Sequence, residues 1–223
     1  MKYTTIFFDR DNTLTHGNPL NKEFLHSHIE LWSGKPLDMS YEKMLDLFYQ
    51  VSGTKKPWLK SVEKGIKFYK KYYYYLLKGE GITQHLTERA QILFKRLWNN
   101  NHVAFPETET VLKKLKQKGY SLGVISDTFP SLKLSLEKIG LAKYFSSFTC
   151  SSEVMAYKPD PKIFTAALTK HNAKASECIY IDDYDIEADG ARKLGFTSFL
   201  IDRSKTRTGE WIVSSLSEVL DFF

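Results

Sequence analysis

The stretch TTIFFDRDNTLTHGN, residues 4–18, places three apolar side chains directly before an aspartate, and a second aspartate follows two residues later. The run from Thr4 to Phe8 is β-branched and aromatic and too short for a helix, so it predicts a buried strand. That strand leads straight into Asp9 and Asp11. Because clustered carboxylates repel one another, this strand end predicts a site that holds a cation.

After residue 105 the chain alternates between apolar strands and helices. The strands are predicted in YSLGVIS (120–126), FSSFTCS (145–151), CIYI (178–181) and TSFLI (197–201). Between them lie helices such as the one with Asp160 as its cap and Pro161 at its first position. Strands that alternate with helices imply a parallel sheet covered on both faces. We therefore predict an α/β fold, a Rossmann-like parallel sheet with helices on both faces.

Between the first strand and this alternation the sequence is helical throughout. The layout predicts an α/β core domain from residues 1–16 and 103–223, with residues 17–102 inserted as an all-helical cap domain. Residues 15–103 contain 14 Lys and Arg against 8 Asp and Glu, which accounts for the whole net charge of +6. The lysine-rich run 55–71 ends in four tyrosines, 72–75. We expect these residues to pack the insert and form a solvated basic face, or to steer a phosphorylated substrate, and expect no nucleic acid as partner.

Composition places the chain among ordinary globular proteins, with 223 residues, 42% hydrophobic and 26% charged. It contains no run of about 18 uncharged apolar residues and no apolar stretch typical of a signal peptide, so a cytoplasmic protein without a membrane partner is expected. Cys150 and Cys178 lack the spacing of a zinc site and are expected to be buried free thiols.

Polar residues follow the predicted strands, at the edge where open α/β sheets bind ligands. They are Asp9 with Asp11, Ser126 with Asp127, and Asp182 with Asp183. Lys158 lies in the loop before the helix that Asp160 caps. An all-oxygen ligand set suits Mg²⁺, which commonly takes a substrate phosphate as a further ligand. A hydroxyl and a lysine then suit the remaining phosphate oxygens, while one carboxylate attacks phosphorus and a second transfers protons. This chemistry predicts phosphoryl transfer.

Four segments in order, FFDRDNTLT, LGVISD, YKPDPKIF and IYIDDYDIEADGARKLG, resemble the four motifs of the haloacid dehalogenase superfamily. The resemblance implies that Asp9 is the nucleophile and Asp11 the general acid and base. It implies that Ser126 and Lys158 bind the phosphoryl group, and that Lys158 also screens Asp9. Magnesium would be held by Asp9, the backbone carbonyl of Asp11 and one or both of Asp182 and Asp183, with Glu187 as the more distant acid of the fourth motif. The insert resembles the family's α-helical cap, which selects the substrate.

The resemblance therefore implies a magnesium-dependent phosphatase that acts on a small phosphorylated metabolite through an aspartyl-phosphate. A phosphomutase, which returns the phosphoryl group to a bound sugar phosphate, uses the same core. A catalytically idle binding or regulatory module with a basic cap is a third alternative. A dehalogenase needs no metal and no acid two residues after its nucleophile, so Asp11 argues against it. Arg10, between the two aspartates, either faces the substrate or fills a variable position, and the second is expected. Neither the substrate nor the oligomeric state follows from the sequence.

Overall fold

The computed structural model describes residues 2–38, 40–55 and 57–222. The chain divides into two compact units, Met1–His16 with His102–Phe223, and Gly17–Asn101. The first contains a parallel sheet and is called the α/β unit here. The second, over its described residues, contains four helices and is called the helical unit.

The five predicted strands are all present and alternate with helices after residue 105, whereas three short strands, at residues 15–17, 102–104 and 212–213, were not predicted. The strands are β1 Thr5–Phe8, β2 Thr15–Gly17, β3 His102–Ala104, β4 Ser121–Ser126, β5 Ser147–Cys150, β6 Cys178–Asp182, β7 Thr197–Ile201 and β8 Ile212–Val213. The α-helices are α1 Pro19–Ser33, α2 Tyr41–Ser52, α3 Val62–Gly79, α4 Leu86–Leu97, α5 Thr108–Gln117, α6 Leu132–Lys138, α7 Ser151–Val154, α8 Pro161–His171, α9 Asp185–Lys193 and α10 Leu216–Val219.

Six of the strands form one sheet in the order β5, β4, β1, β6, β7, β8, and every adjacent pair is parallel. The first strand of the chain, β1, therefore lies between β4 and β6. Its last residue, Phe8, pairs with Val124 of β4 and Ile181 of β6. This register brings the carboxyl ends of β1, β4 and β6 to one edge of the sheet. Asp9 follows β1 at that edge.

Helices cover both faces of this sheet, as the side chains of β1 show. Successive side chains of a strand point to opposite faces. Ile6 and Phe8 pack in one buried cluster with residues of α5, whereas Phe7 packs in a second cluster with Ile163 and Phe164 of α8. The predicted Rossmann-like fold class is thereby confirmed. The two cysteines are buried and free, as expected.

Gly123 of β4 faces this second cluster and has no room for a side chain. A Cβ built there would lie 2.7 Å from two ring carbons of Phe7 and 2.8 Å from Oγ of Ser147. Phe7 is fully buried and packs edge-to-face against His171, with ring centroids 4.9 Å apart, so its ring cannot easily move aside.

We therefore expect Gly123→Ala to lower the free energy of unfolding by about 1–3 kcal/mol through overpacking. Urea unfolding followed by circular dichroism measures the change. The control is Gly65→Ala in α3, where no atom of the described residues outside its own helix backbone and chain neighbours lies within 4 Å of the added Cβ. A helical alanine there should stabilise by about 0.5–1 kcal/mol. Equal stability of Gly123→Ala and the parent protein would contradict the packing described.

The helical unit has its own apolar core, to which α1, α3 and α4 contribute buried residues and α2 contributes the partly buried Leu47. Ile29, Leu77, Leu93 and Leu97 are almost completely buried in it. Tyr73, within the tyrosine run, is buried in the same cluster, and Tyr72 and Tyr74 pack against it. Those tyrosines thus contribute to packing, as expected for four consecutive residues that point all round a helix. Within the described ranges, no helix is both long and apolar enough to cross a bilayer.

Candidate active site

The residues predicted for the site follow three adjacent strands of the α/β unit. Asp9 follows β1, while Ser126 and Asp182 are the last residues of β4 and β6. All three are buried, and Asp9 is only 5% exposed. Along β6, Tyr180 and Asp182 share one face of the sheet because they are two residues apart. Tyr180 contacts Phe164 of α8, so this is the face that α8 covers.

Lys158 reaches this face from the loop that precedes α8. Its backbone N–H donates to Oδ1 of Asp127 at 3.2 Å, and a cis peptide bond joins it to Pro159. Its side chain is 2% exposed. The loop therefore places a lysine ammonium in the interior, beneath the strand ends.

The Lys158 ammonium contacts three carboxylates and one hydroxyl. Nζ lies 2.7 Å from Oδ1 of Asp9, 2.8 Å from Oδ2 of Asp182, 2.5 Å from Oε2 of Glu187 and 3.0 Å from the hydroxyl oxygen of Tyr180. The Tyr180 hydroxyl in turn donates to Oδ2 of Asp182. The ammonium of Lys158 thus joins side chains from the end of β1, from β6 and from α9.

The electrostatics of this cluster reflect burial and an excess of negative charge. Burial raises the pKa of Asp9 well above its usual range, because the nearby Lys158 does not offset the loss of solvation and the charges of Asp182 and Asp11. Burial likewise raises the pKa of Glu187 to about 7. For Lys158, burial lowers the pKa, but Asp9 and the other acidic neighbours outweigh it and hold the ammonium charged. One ammonium therefore faces more carboxylates than it can neutralise.

A divalent cation fits the same cluster. Asp9, Asp182 and Asp183 each offer one carboxylate oxygen, and these oxygens lie within 4.8 Å of one another. The donors are all oxygen, which is the ligand chemistry that Mg²⁺ prefers. The added positive charge would offset the charges of Asp182 and Asp11, which add to the effect of burial on the pKa of Asp9. The residues present thus fit a magnesium ion.

The two adjacent aspartates of the fourth motif differ in their contacts. Asp182 is fully buried, and both of its oxygens accept hydrogen bonds: Oδ1 from the backbone N–H of Tyr184, and Oδ2 from Lys158 and Tyr180. Asp183 is partly exposed, and its Oδ2 accepts a hydrogen bond from Nδ2 of Asn12 at 3.1 Å. Asp182 is thus held by the protein, while Asp183 is the more accessible carboxylate.

Asp11 lies in a separate ion pair with its neighbour Arg10. Arg10 is buried and donates to both oxygens of Asp11, with Nε–Oδ1 3.0 Å and Nη2–Oδ2 2.8 Å. His102 Nε2 also lies 3.0 Å from Oδ1 of Asp11. Burial acts to raise the pKa of Asp11, but Arg10 and His102 lower it below its usual range. Arg10 therefore holds the second aspartate as a carboxylate.

The structure brings most of the predicted site residues together and adds others. Asp9, Lys158, Asp182 and Glu187 form one cluster with Asp183 at its edge, and Ser126 ends the adjacent strand. The sequence did not assign Tyr180 or His102 to the site, and it did not pair Arg10 with Asp11. A tyrosine within an otherwise apolar strand was a usable signal, because a buried hydroxyl needs a hydrogen-bond partner. His102 gave no local signal, since its partner lies about 90 residues earlier in the chain.

Comparison with known proteins adds a family and several relatives. The family model described as haloacid dehalogenase-like hydrolase matches residues 3–195. The chain is similar to the ribulose-1,5-bisphosphate 5-phosphatase of Halopiger xanaduensis, with 25% identity over 91% of this chain and 86% of that protein. It is also similar to an (S)-2-haloacid dehalogenase of Pseudomonas sp. strain YL, with 28% identity over 53% of this chain and 54% of that protein, so the chain spans about half the length of that relative.

A solved structure supports the fold. The crystal structure of a HAD phosphatase from Thermococcus onnurineus superposes with a TM-score of 0.68 at 21% identity, covering 98% of this chain and 97% of that chain. At this identity the likeness concerns the fold alone. It agrees with the six-stranded parallel sheet described above.

Proposed function

Because the chain belongs to the haloacid dehalogenase-like hydrolases, as its four motifs predicted, we propose that it is a magnesium-dependent phosphatase that hydrolyses a small phosphorylated metabolite through an aspartyl-phosphate. The observation that carries the proposal is the charge of the buried cluster. Lys158 contacts three carboxylates, and Asp183 adds a fourth at the edge. A haloacid is itself an anion, and without a cation this cluster would repel it. When a phosphate monoester binds together with Mg²⁺, the positive charge of the ion offsets the repulsion between the carboxylates and the phosphate.

In the proposed reaction Asp9 attacks phosphorus and the alcohol leaves. Lys158 donates to Oδ1 of Asp9, so it fixes the carboxylate and reduces the repulsion between two anions. Ser126, at the end of the adjacent strand, is assigned to hold a phosphoryl oxygen. A magnesium ion held by Asp9, Asp183 and the backbone carbonyl of Asp11 would supply Lewis-acid stabilisation of the phosphoryl charge.

Asp11 is assigned to the proton transfers. As a carboxylate it can take a proton from the water that attacks phosphorus and releases Asp9, and the pairing with Arg10 favours this state. To protonate the leaving alcohol in the first step, Asp11 must carry a proton, which its pairing with Arg10 opposes. Arg10 is thus proposed to set the balance between the two roles of Asp11.

A different role is assigned to each of the two compact units. We assign residues 1–16 and 103–223 as the catalytic core domain and residues 17–102 as a cap domain that selects the substrate. The compact units, Met1–His16 with His102–Phe223 and Gly17–Asn101, support these boundaries to within one residue.

The proposal is tested by following phosphate release from an aryl phosphate with purified protein. We expect hydrolysis in the presence of Mg²⁺ and a fall of at least about 100-fold after chelation with EDTA, restored by added Mg²⁺. Sugar phosphates in the same assay separate a phosphatase from a phosphomutase, which forms an isomer and releases little phosphate. Hydrolysis of an aryl phosphate that is insensitive to EDTA would contradict the metal, and release of halide from 2-haloacids in its place would contradict the reaction.

The two adjacent aspartates should respond differently to substitution. We expect Asp183→Asn to raise the Mg²⁺ concentration needed for half-maximal activity by at least about 10-fold, because Asp183 is the accessible carboxylate. Asp182→Asn should mainly disturb Lys158 and lower kcat at saturating Mg²⁺. Magnesium titrations of both variants measure this difference. A larger shift in Mg²⁺ affinity for Asp182→Asn than for Asp183→Asn would reverse the assignment.

A further inference from the structure

The turn that follows β1 carries two groups that bear directly on the proposed magnesium ion. The backbone carbonyl of Asp11 is assigned as a ligand, and Nδ2 of Asn12 donates to Oδ2 of Asp183 at 3.1 Å. Asn12 has a φ of 54°, in the left-handed region that asparagine adopts more readily than most residues. A shift of this turn would therefore move one metal ligand and remove the hydrogen bond that orients another.

The side chain of Arg203 holds this turn from the loop that follows β7. Its Nε donates to the backbone oxygen of Asn12 at 2.8 Å, and its Nη2 donates to the backbone oxygen of Thr13 at 2.6 Å. Two consecutive carbonyls of the turn are thus bound by one guanidinium. Because the donors of a guanidinium form a rigid planar fork, the two bonds fix the carbonyls relative to each other.

Two further contacts fix Arg203 itself. Its Nη1 lies 2.8 Å from Oε1 of Glu107, which also accepts a hydrogen bond from the backbone N–H of Leu216 at 3.4 Å. Its guanidinium carbon lies 3.3 Å from the centroid of the Phe105 ring. The side chain is only 20% exposed. The guanidinium is thus held by a carboxylate and an aromatic ring as well as by the turn.

We propose that Arg203 is a positioning residue for the metal site and acts through the turn after β1. With the carbonyls of Asn12 and Thr13 fixed, the carbonyl of Asp11 and the side chain of Asn12 keep their places beside the metal. The inference rests on the proposed function, because it requires that Mg²⁺ binds next to this turn. Arg203 itself is assigned no contact with the metal or with the substrate.

Arg192 of α9 supplies a matched control within the same α/β unit. Its Nε and Nη2 donate to the backbone oxygen of Ser198 at 3.1 Å and 2.9 Å, and its Nη1 pairs with Asp189. Replacing Arg192 with methionine therefore removes the same kinds of contact as Arg203→Met, two bonds to backbone oxygen and one ion pair. These contacts join α9 to β7 and do not involve the turn after β1.

Amide hydrogen exchange tests whether Arg203 holds the turn, without metal or substrate. The backbone N–H groups of Leu14 and Thr15 donate to the carbonyl of Arg10 and close the turn. In EDTA, we expect Arg203→Met to speed the exchange of these two amides by at least about 5-fold. Arg192→Met should leave their exchange unchanged.

Isothermal titration calorimetry with Mg²⁺ alone measures the effect on the metal site. We expect Arg203→Met to raise the Kd for Mg²⁺ by at least about 10-fold, as is typical when a group that orients metal ligands is lost. Arg192→Met should leave the Kd unchanged. Arg203→Lys keeps a positive charge beside Glu107 but loses the planar fork, so it should fold and still bind Mg²⁺ more weakly than the parent protein. Circular dichroism checks that each variant folds.

The failure of this inference and the failure of the proposed function give different results. Mg²⁺ binding by the parent protein that Arg203→Met and Arg203→Lys leave unchanged would overturn the positioning role alone. Amide exchange in Arg203→Met equal to that in Arg192→Met would overturn it as well. A parent protein that binds no Mg²⁺ would contradict the proposed metal, and with it the link between Arg203 and that metal.

Discussion

Replacing Asp9 with asparagine is expected to lower kcat for magnesium-dependent hydrolysis of an aryl phosphate by at least about 10³-fold. The amide has nearly the same size and can still accept the hydrogen bond from Lys158, but it cannot form an acyl phosphate. Because the substitution removes the bond-forming atom rather than a contact, the loss should appear in kcat at saturating substrate. Phosphate release under single-turnover conditions measures it.

The same substitution should not destabilise the fold. Burial raises the pKa of Asp9, so its ionised form is disfavoured in the folded state relative to the unfolded chain. For an acid with a raised folded pKa, this penalty is present at neutral pH and disappears as the pH falls below the unfolded pKa. Asp9→Asn should therefore unfold at an equal or higher urea concentration than the parent protein, in EDTA at neutral pH.

The exposed Asp221 supplies the matched control for this experiment. Asp221→Asn should change neither kcat nor the urea midpoint. Hydrolysis by Asp9→Asn within a few fold of the parent rate would show that another group attacks phosphorus.

Replacing Lys158 with methionine is the second large effect that we expect. The side chain keeps its length but loses the ammonium, which leaves Asp9, Asp182 and Glu187 without the cation that contacts all of them. Removing one partner of a buried ion pair typically costs about 3–5 kcal/mol. We therefore expect a fall of this size in the free energy of unfolding, together with a fall in kcat of about 10²–10³-fold.

The pH dependence separates this ion pair from simple packing. The acidic neighbours raise the folded pKa of Lys158 against the effect of burial, so its stabilisation is fully present at neutral pH and is lost only as the pH rises through that value. Glu187, with a pKa raised to about 7, should take up a proton readily in the variant. The stability lost in Lys158→Met should therefore be partly recovered as the pH falls from 8 to about 5.5.

Lys162→Met provides the control, because Lys162 is exposed on the adjacent helix α8. It should change stability by less than about 0.5 kcal/mol and leave kcat unchanged. A Lys158→Met protein as stable as this control at every pH would contradict the buried cluster.

Much of the fold followed from short-range signals in the sequence. The apolar run Ile6 to Phe8, the Asp160–Pro161 helix start and the strand-and-helix alternation after residue 105 suffice for a parallel sheet covered on both faces. The order β5, β4, β1, β6, β7, β8 of the sheet did not follow from these signals. It depends on which strands pair across distances in the chain that local patterns do not encode.

The candidate site divides in the same way. The convergence of Asp9, Ser126 and Asp182 was predictable, because residues that follow parallel strands meet at one edge. The contacts of Arg10 were not predictable. The local sequence does not indicate that the buried guanidinium donates to both oxygens of Asp11. The different environments of Asp182 and Asp183 were also not predictable. They depend on where β6 ends, because successive side chains of a strand point to opposite faces, and the sequence does not define the last residue of that strand.

Whether Asp9 carries the phosphoryl group is tested most directly by trapping it during turnover. Protein mixed with an aryl phosphate and Mg²⁺ is quenched in acid within one turnover and reduced with borohydride, which converts an aspartyl-phosphate to homoserine. Mass spectrometry of the peptide that contains residues 4–18 then identifies which aspartate has been converted to homoserine. We predict homoserine at position 9 in the parent protein, with Asp11 unmodified and no homoserine in Asp9→Asn. Rapid phosphate release with Asp9 unmodified, or homoserine at another position, would contradict the proposed mechanism.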